Sequence, residues 1–277
     1  MRPPFFKNIY MAINVNTVYT TVLYILNKEQ RGYITPDEFN KLGTQAQLEI
    51  FENYFEELNQ QLRVGGNSSQ YADRVKKLQE KIDRFFTSEA LNVTQGVGEY
   101  WAVANLTTLG SGNTVHRLGN IEYTEHRDAN ISVNELPVQL EEVTQQEFNL
   151  ARRSKLTRPS SSWPMFYIVD TFVRILPANV SSAVVPRKTY TINYIKKPQD
   201  PIWGYTINGA TGAYIYDKAA YAPGPPPSGS RNFEIDDTDQ TDLILKILQY
   251  CGVIIRDPQI VQTATQLAQM DEVNEKS

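Results

Sequence analysis

The chain has 277 residues, enough for one large domain or two smaller ones, each with its own core. Its 21% of charged residues is ordinary for a globular protein, and the formal net charge of −4 argues against a protein that coats nucleic acid. A single cysteine excludes an internal disulfide, no apolar run approaches the roughly 20 residues that span a bilayer, and the N-terminus lacks a secretory signal. We therefore expect a protein of the reducing cytoplasm, with no membrane partner.

The N-terminal region predicts an arm followed by a helix. Residues 1–12 form the expected arm, because the consecutive prolines Pro3 and Pro4 oppose a helix. Apolar residues at helical spacing then predict a first amphipathic helix over about 15–26.

The longest predicted element covers residues 35–63. Thr35 and Glu38 have the spacing of a capping box, and Pro36 occupies the favoured first helical position. Apolar side chains then recur at three- and four-residue steps and make one face apolar. They are Phe39, Leu42, Ala46, Ile50, Tyr54, Leu58 and Leu62. At about 1.5 Å per residue the helix would be roughly 40 Å long, which is typical of the backbone of a helical bundle.

Further helices are predicted on both sides of a β-rich region. A third helix begins near Ser69 and carries Phe85 and Phe86 at its end. After residue 231, Asp237 or Thr238 can cap a fourth helix, and Asp257-Pro258 can open a last one. The predicted architecture is α+β, with a helical bundle built from residues 13–90 and 232–277.

Residues 91–231 predict an inserted β-sandwich or small β-barrel. Thr, Val, Tyr, Asn and Gly are frequent there, and short alternating segments are separated by turn residues. The predicted strands lie near 100–103, 113–123, 164–177 (two strands around Asp170) and 189–196, with a hairpin turn at Asn208-Gly209. A short helix is expected at 142–152, and residues 222–230 form a proline-rich loop.

Few residues in the sequence suggest chemistry. His126 stands between Glu125 and Asp128, a spacing compatible with a metal or proton-relay cluster, but the exposed polar face of a sheet explains these residues more simply. The sequence has no phosphate-binding glycine loop, no His-Glu-x-x-His and no Gly-x-Ser-x-Gly motif. We therefore predict no catalytic residue, no metal site and no cofactor, and a protein that is not an enzyme.

One basic cluster stands out in this acidic chain. Arg152, Arg153, Lys155 and Arg158 lie in a loop-like segment without aromatic residues among them. Three interpretations stay open: a solvated loop, a contact with a neighbouring subunit, or a contact with the phosphates of DNA.

Several stretches, taken in order, resemble the head-to-tail adaptor or connector ring proteins of short-tailed bacteriophages, most of all the ring proteins of crAss-like phages. They are VNTVY (15–19), LNKEQRGY (26–33), TPDEFN (35–40), EEV with Phe148 (141–148), LTRP (156–159), PMFY to LP (164–177), YIKKP (194–198), FEIDD (233–237), LQYCG (248–252) and IRDP (255–258). None of these stretches is a catalytic signature, so the resemblance rests on their joint order.

The resemblance implies a ring of identical subunits, twelve in the family, attached to the portal of the capsid. Double-stranded genome DNA would pass through its lumen without sequence recognition, and the protein would reside in the virion neck and, during assembly, in the host cytoplasm. The alternative is a virion-associated hydrolase with an active site hidden in the β region.

The last predicted helix is a candidate for docking to the portal or to a neighbouring ring. Its capping residues and apolar face are Asp257, Pro258, Ile260, Val261, Ala264, Leu267 and Ala268. A helix of about 13 residues is marginal in water unless this face is packed. The face can cover a partner, as adaptors of the resembling family do with their C-terminal segments, or it can pack on the preceding helix; both interpretations stay open.

Overall fold

A computed structural model gives the fold of the chain. It describes residues 12–28, 33–64, 69–95, 102–109, 112–126, 136–160, 162–177, 187–224, 228–254 and 266. The predicted arm at 1–12, apart from its last residue, lies outside the described residues, and so does the predicted last helix, apart from residue 266.

Helices and strands alternate in blocks along the described chain. The helices are α1 (Val15–Lys28), α2 (Pro36–Val64), α3 (Ser69–Asp83), α4 (Gln145–Arg153) and α5 (Gln240–Ile254). The strands are β1 (Phe86–Leu91), β2 (Val93–Gln95), β3 (Ala102–Asn105), β4 (Val115–His126), β5 (Val138–Gln139), β6 (Glu141–Glu142), β7 (Met165–Val169), β8 (Phe172–Leu176), β9 (Arg187–Lys196), β10 (Tyr205–Ile207) and β11 (Tyr214–Tyr216). The fold is α+β, as the sequence predicts.

The chain forms two compact units. The described residues up to Lys81 and those from Pro198 onward form one unit, which we call the helical unit, and Ile82–Lys197 form the other, the β unit. The expected divisions lay after residues 90 and 231, so both differ from those of the structure. Helix α3 ends at Asp83 rather than continuing through Phe85 and Phe86, because residues from Phe86 pair as a strand with β9.

The helical unit has a core made by α1, α2 and α5. The predicted capping box is present: Glu38 Oε2 accepts from the Thr35 N–H at 2.9 Å, and Thr35 Oγ1 accepts from the Glu38 N–H at 3.3 Å. The buried face of α2 includes Phe39, Ala46, Ile50, Phe51, Tyr54 and Phe55, and α5 contributes Leu243, Ile247, Leu248 and Cys251. The predicted apolar stripe of α2 is longer than the face that is buried, since Leu62, the last residue of the stripe, is 57% exposed.

Two extended segments join this unit through side chains of α2. Gln47 is fully buried: its Nε2 donates to the Gln199 carbonyl, and its Oε1 accepts from the Glu234 N–H, both at 2.9 Å. Asn40 Oδ1 accepts from the Trp203 N–H at 2.7 Å. These amides bond to backbone groups in the described segments 198–204 and 228–236 and so connect both segments to α2.

The described residues that follow the prolines of the predicted loop are bonded to Asp217. The Asp217 carboxylate accepts from the Gly229 N–H at 3.0 Å, and the Ser230 hydroxyl donates to the Asp217 carbonyl at 2.6 Å. The backbones come so close that a Cβ on Gly204 would lie 2.0 Å from the Gly229 carbonyl oxygen, and Gly229 has φ +80°. Only glycine fits both positions.

The described residues of the β unit form two sheets. One has the order β1-β9-β4-β5 and is antiparallel, and the other has the order β2-β3-β8-β7-β6, with β6 and β7 parallel. The strands predicted around Asp170 are confirmed as the antiparallel pair β7–β8, and Asp170 at their turn has φ 56°.

Both sheets contribute side chains to one buried cluster, and α4 lies over a second, smaller one. Ile121 and Ile192 from the first sheet join Ala104, Phe166 and Ile175 from the second. The smaller cluster consists of Phe148, Tyr167 and Leu176. It positions α4 and the loop that follows it.

Candidate interaction surface

Helix α4 carries the first part of the predicted basic cluster. Thr144 and Glu147 form a capping box at its start, and the Phe148 ring packs on Tyr167 with ring centroids 4.4 Å apart. Arg152 and Arg153 occupy the last turn, where cations interact favourably with the helix dipole. The helix is thus held at its beginning and in its middle, and its basic end has a defined position.

The turn after α4 holds Leu156 in solvent. Ser154 Oγ accepts hydrogen bonds from the backbone N–H groups of Leu156 and Thr157, both at 3.2 Å. The Leu156 side chain is 94% exposed, whereas the nearby Pro159 is buried. The hydrogen-bonded turn, followed by the buried Pro159, therefore holds the Leu156 side chain in solvent.

A second large apolar residue follows the cations. Ser160 and Trp163 exchange two backbone hydrogen bonds, at 3.3 and 3.1 Å, and Trp163 is 75% exposed. Arg152 and Arg153 are helical, whereas the sequence predicted a loop-like segment for all four cations. We call the described residues 152–160, 162 and 163, which comprise the end of α4 and the turns after it, the basic loop; its Arg153, Lys155 and Arg158 are exposed. The cations were predicted from the sequence, but Leu156 and Trp163 were not, although a tryptophan five residues after Arg158 is a visible signal.

The predicted C-terminal docking residues lie outside the described residues. They are Asp257, Pro258, Ile260, Val261, Ala264, Leu267 and Ala268. Docking of this segment stays a prediction.

The residues around His126 belong to the end of a strand. In β4, the backbone register pairs Glu125 with Lys188 and His126 with Arg187 on β9, while Asp128 lies outside the described residues. Within the described ranges, no group of three or more His, Cys, Asp and Glu side chains is arranged to hold a metal ion. None of the described helices is both long and apolar enough to cross a membrane.

A buried polar network in the helical unit was not predicted. Asp239 accepts a hydrogen bond from the Tyr54 hydroxyl and another from Lys81 Nζ at 2.7 Å, and the ammonium lies 5.1 Å from the Tyr54 ring centroid. Burial and then the Asp239 charge raise the pKa of Tyr54 well above its ordinary value. The network ties α2 and α3 to the turn before α5, and its partners satisfy one another.

A second polar cluster joins α2 to α5. Glu49 accepts hydrogen bonds from Lys246 Nζ and from the Tyr250 hydroxyl, each at 2.7 Å. Burial alone would raise the pKa of Glu49, but the two hydrogen bonds and the Lys246 charge outweigh it and hold this pKa below its ordinary value. Burial and the bond to Glu49 raise the pKa of Tyr250 to about 12.

Cys251 is a core residue of α5. It is 2% exposed, and burial followed by the charge of Glu38 raises the pKa of its thiol to about 12. A thiol in this state is a poor nucleophile, as expected for a small buried hydrophobe.

The predicted hairpin at Asn208-Gly209 is confirmed as β10–β11. Its base stacks on Trp203, whose ring centroid lies 5.9 Å from Tyr205 and 5.6 Å from Tyr216. Trp203 is buried and donates its indole N–H to Asn16 Oδ1 at 3.0 Å. The hairpin is thereby fixed to the helical unit.

Neither a protein-family model nor a curated protein matches the chain.

Proposed function

We propose that the chain is a structural virion protein, a subunit of a head-to-tail adaptor ring. In this proposal it attaches to the portal, lines part of the channel for double-stranded genome DNA, and performs no catalysis. It resides in the virion neck and, before assembly, in the host cytoplasm. The order of the resembling stretches along residues 13–270 motivates the proposal.

The basic loop is the observation that carries it. When a partner protein covers an exposed apolar side chain, apolar surface is removed from water, which favours binding. Here Leu156 and Trp163 are held outward by hydrogen-bonded turns, beside the cations Arg153, Lys155 and Arg158. Arginine and tryptophan are enriched at protein interfaces and are the residues that most often dominate binding energy.

The proposed architecture is a helical bundle made by the N- and C-terminal helices with an inserted β-sandwich or small barrel. The contacts of α5 with α1 and α2 support the bundle, and the buried cluster shared by the two sheets supports the sandwich. Such a subunit would give a ring both a rigid helical part and a separate β part.

The proposal is tested by electron microscopy of the purified protein mixed with tail-less particles that bear the portal of the same virus. We expect additional density under the portal, arranged as a ring. The variant Arg153→Glu with Arg158→Glu should lose this density or the retained DNA, because it reverses charge at the basic loop. It should keep its melting temperature, because both side chains are exposed.

The matched control is Lys76→Glu with Lys77→Glu, which changes the net charge equally on exposed residues of α3. It should assemble like the unmodified protein. Unmodified protein that leaves portals bare would overturn the adaptor proposal. A basic-loop variant that assembles normally but melts at a much lower temperature would show that these cations serve only the folded monomer.

A further inference from the structure

The tip of the β10–β11 hairpin contains the only Asn-Gly bond in the chain, between Asn208 and Gly209. Gly209 and Ala210 are exposed, and Asn208 is half-buried. The Asn208 side chain bends over the turn, where its Oδ1 accepts a hydrogen bond from the Ala210 N–H at 2.9 Å. Water therefore reaches both the side-chain amide and the peptide bond that follows it.

The hydrogen bond from Ala210 prepares the side-chain amide of Asn208 for attack. Together with the covalent chain, this bond closes a ring that contains Asn208 Cγ and the Gly209 nitrogen. A backbone N–H that donates to a carbonyl oxygen also stabilises the negative charge that this oxygen acquires when a nucleophile bonds to its carbon. The arrangement thus favours attack on Asn208 Cγ.

The Gly209 nitrogen is the nucleophile that the turn leaves free. Among the residues that the structure describes, none accepts a hydrogen bond from the Gly209 N–H. Glycine has no side chain to hinder the approach of its nitrogen to the carbon of the preceding side chain. The space around it is open as well, since a Cβ built on Gly209 would have no neighbour within 4 Å.

Two other asparagines make the same side-chain contact, but the N–H that follows each of them is occupied. Asn14 and Asn105 each accept from the N–H two residues further on, both at 2.9 Å. The N–H after Asn14 donates to Asn232 Oδ1 at 3.1 Å, and the N–H after Asn105 donates to the Thr171 carbonyl at 2.9 Å. Both asparagines also precede a bulky residue, so the reactive arrangement is specific to Asn208.

We propose that Asn208 is a site of spontaneous deamidation in the folded protein. The Gly209 nitrogen loses its proton to hydroxide and bonds to Asn208 Cγ, and the side-chain amino group takes up a proton and leaves as ammonia. Water then opens the resulting cyclic succinimide at either of its two carbonyl carbons. The net reaction consumes water, releases ammonia, and leaves an aspartate or an isoaspartate at position 208.

The reaction changes the charge and the backbone of the hairpin tip. Residues 201–216 contain no Asp, Glu, Lys or Arg, so either product introduces a negative charge into an uncharged segment. Isoaspartate also lengthens the main chain, because the chain then runs through the former side chain. The Asn208 carbonyl accepts from the Gly212 N–H at 2.7 Å, and the Asn208 N–H donates to the Ala213 carbonyl at 2.9 Å. The isoaspartate form should lose this pairing and have a loosened tip.

Peptide mass spectrometry of the folded protein, incubated at neutral and at mildly alkaline pH, tests the proposal. Each conversion adds about 1 Da, and labelling with an isoaspartyl methyltransferase distinguishes isoaspartate from aspartate. We expect Asn208 to be converted several-fold faster than Asn14 and Asn105, and faster at the higher pH because the attacking nitrogen must lose its proton. Conversion of Asn208 that is no faster than that of Asn14 and Asn105 would overturn the proposal.

Gly209→Ala tests the identity of the nucleophile. The new methyl group meets no neighbour, and the φ of Gly209 lies outside the left-handed region, so the variant should keep the hairpin and its melting temperature. Conversion of Asn208 should fall several-fold, because the methyl group hinders the approach of the nitrogen. Equal conversion in this variant would contradict attack by the nitrogen of residue 209 and would overturn the proposal.

The same chain unfolded in guanidinium chloride measures the contribution of the fold. We expect the folded protein to convert Asn208 at least as fast, because only the folded hairpin holds the Ala210 N–H on the reacting carbonyl. Conversion that is many times slower in the folded protein would show that the tip protects Asn208, and would overturn the proposal. The reaction needs neither a portal nor a second copy, so its outcome is independent of the adaptor function.

Discussion

The two units satisfy their backbone groups in different ways. In the β unit, strands pair with strands, and the long β4–β9 ladder runs from Val115 to His126 on one side. In the helical unit, the extended segments at 198–204 and 228–236 have few strand partners, and amide side chains of α2 bind them instead. Both solutions meet the same requirement that buried N–H and C=O groups be paired.

This difference determines where each unit is vulnerable. A ladder distributes its hydrogen bonds over many backbone groups, so the β unit depends mostly on its apolar core. The helical unit concentrates its polar pairing in a few side chains, namely Asn40, Gln47, Glu49 and Asp239. Single polar substitutions should therefore damage the helical unit far more than the β unit.

The largest effect is expected from Asp239→Ala. It leaves Lys81 and the Tyr54 hydroxyl without their shared partner in a mostly buried site, and should cost about 3–5 kcal/mol of unfolding free energy. Denaturant unfolding followed by hydrogen exchange should locate the loss in α2, α3 and α5. Lys76→Ala breaks the exposed Lys76–Glu80 pair and should cost less than about 1 kcal/mol. Similar losses in both variants would contradict the role of burial.

In the β unit, Ile192→Ala should be the corresponding weak point. Ile192 is fully buried opposite Ile121, and removal of its side chain should cost about 2–5 kcal/mol. Hydrogen exchange should accelerate in β1, β4 and β9. Thr191→Ala, at the next position and on the other face of the strand, serves as the control, and an equal loss there would argue against the assigned face.

Gln47→Ala tests the amide clamp directly. It removes the partners of the Gln199 carbonyl and the Glu234 N–H, so we expect a loss of about 1–3 kcal/mol. Amide exchange at Glu234 should accelerate before global unfolding. Gln60→Ala changes the same residue type at an exposed position of α2 and should stay within about 0.5 kcal/mol of the unmodified protein. Unchanged exchange at Glu234 in Gln47→Ala would refute the clamp.

The capping boxes offer the same chemistry in both units. Thr35→Ala and Thr144→Ala each remove a side-chain acceptor for the first turn of a helix and should each cost about 1 kcal/mol. Hydrogen exchange should accelerate at the start of α2 in one variant and at the start of α4 in the other. A much larger loss of unfolding free energy in one variant would show that its capping box stabilises more of the fold than the first turn of its helix.

The smallest expected effect concerns pH. The pKa of Glu49 is lower in the native state than in the unfolded chain, so its stabilising contribution is present above about pH 4.5 and is lost as the pH falls through the native value. The pKa of Tyr250 is raised from 10 to about 12, so its contribution is present below pH 10 and is lost as the pH rises toward 12. Glu49→Gln should flatten the acid limb of a stability–pH curve, and Tyr250→Phe the alkaline limb. If the acid limb is unchanged in Glu49→Gln, or the alkaline limb in Tyr250→Phe, the pKa shift assigned to that residue does not contribute to stability.

Local sequence determined much of the secondary structure. The capping box at Thr35 places the start of α2, the Asn208-Gly209 turn places the β10–β11 hairpin, and the alternation near 189–196 marks β9. These features depend on hydrogen bonds and periodicities within a few residues, so they can be predicted without knowledge of the fold.

Tertiary contacts decided the rest. Asp236, rather than Asp237 or Thr238, caps the turn before α5, and β1 begins at Phe86, where helical periodicity predicted more of α3. The segment after residue 198 belongs to the helical unit because Gln47 and Asn40, distant in sequence, bind its backbone. Likewise, the sequence alone showed the cations of the basic loop, but exposure depends on which neighbours fold over a side chain. That is why the outward positions of Leu156 and Trp163 became visible only in the folded chain.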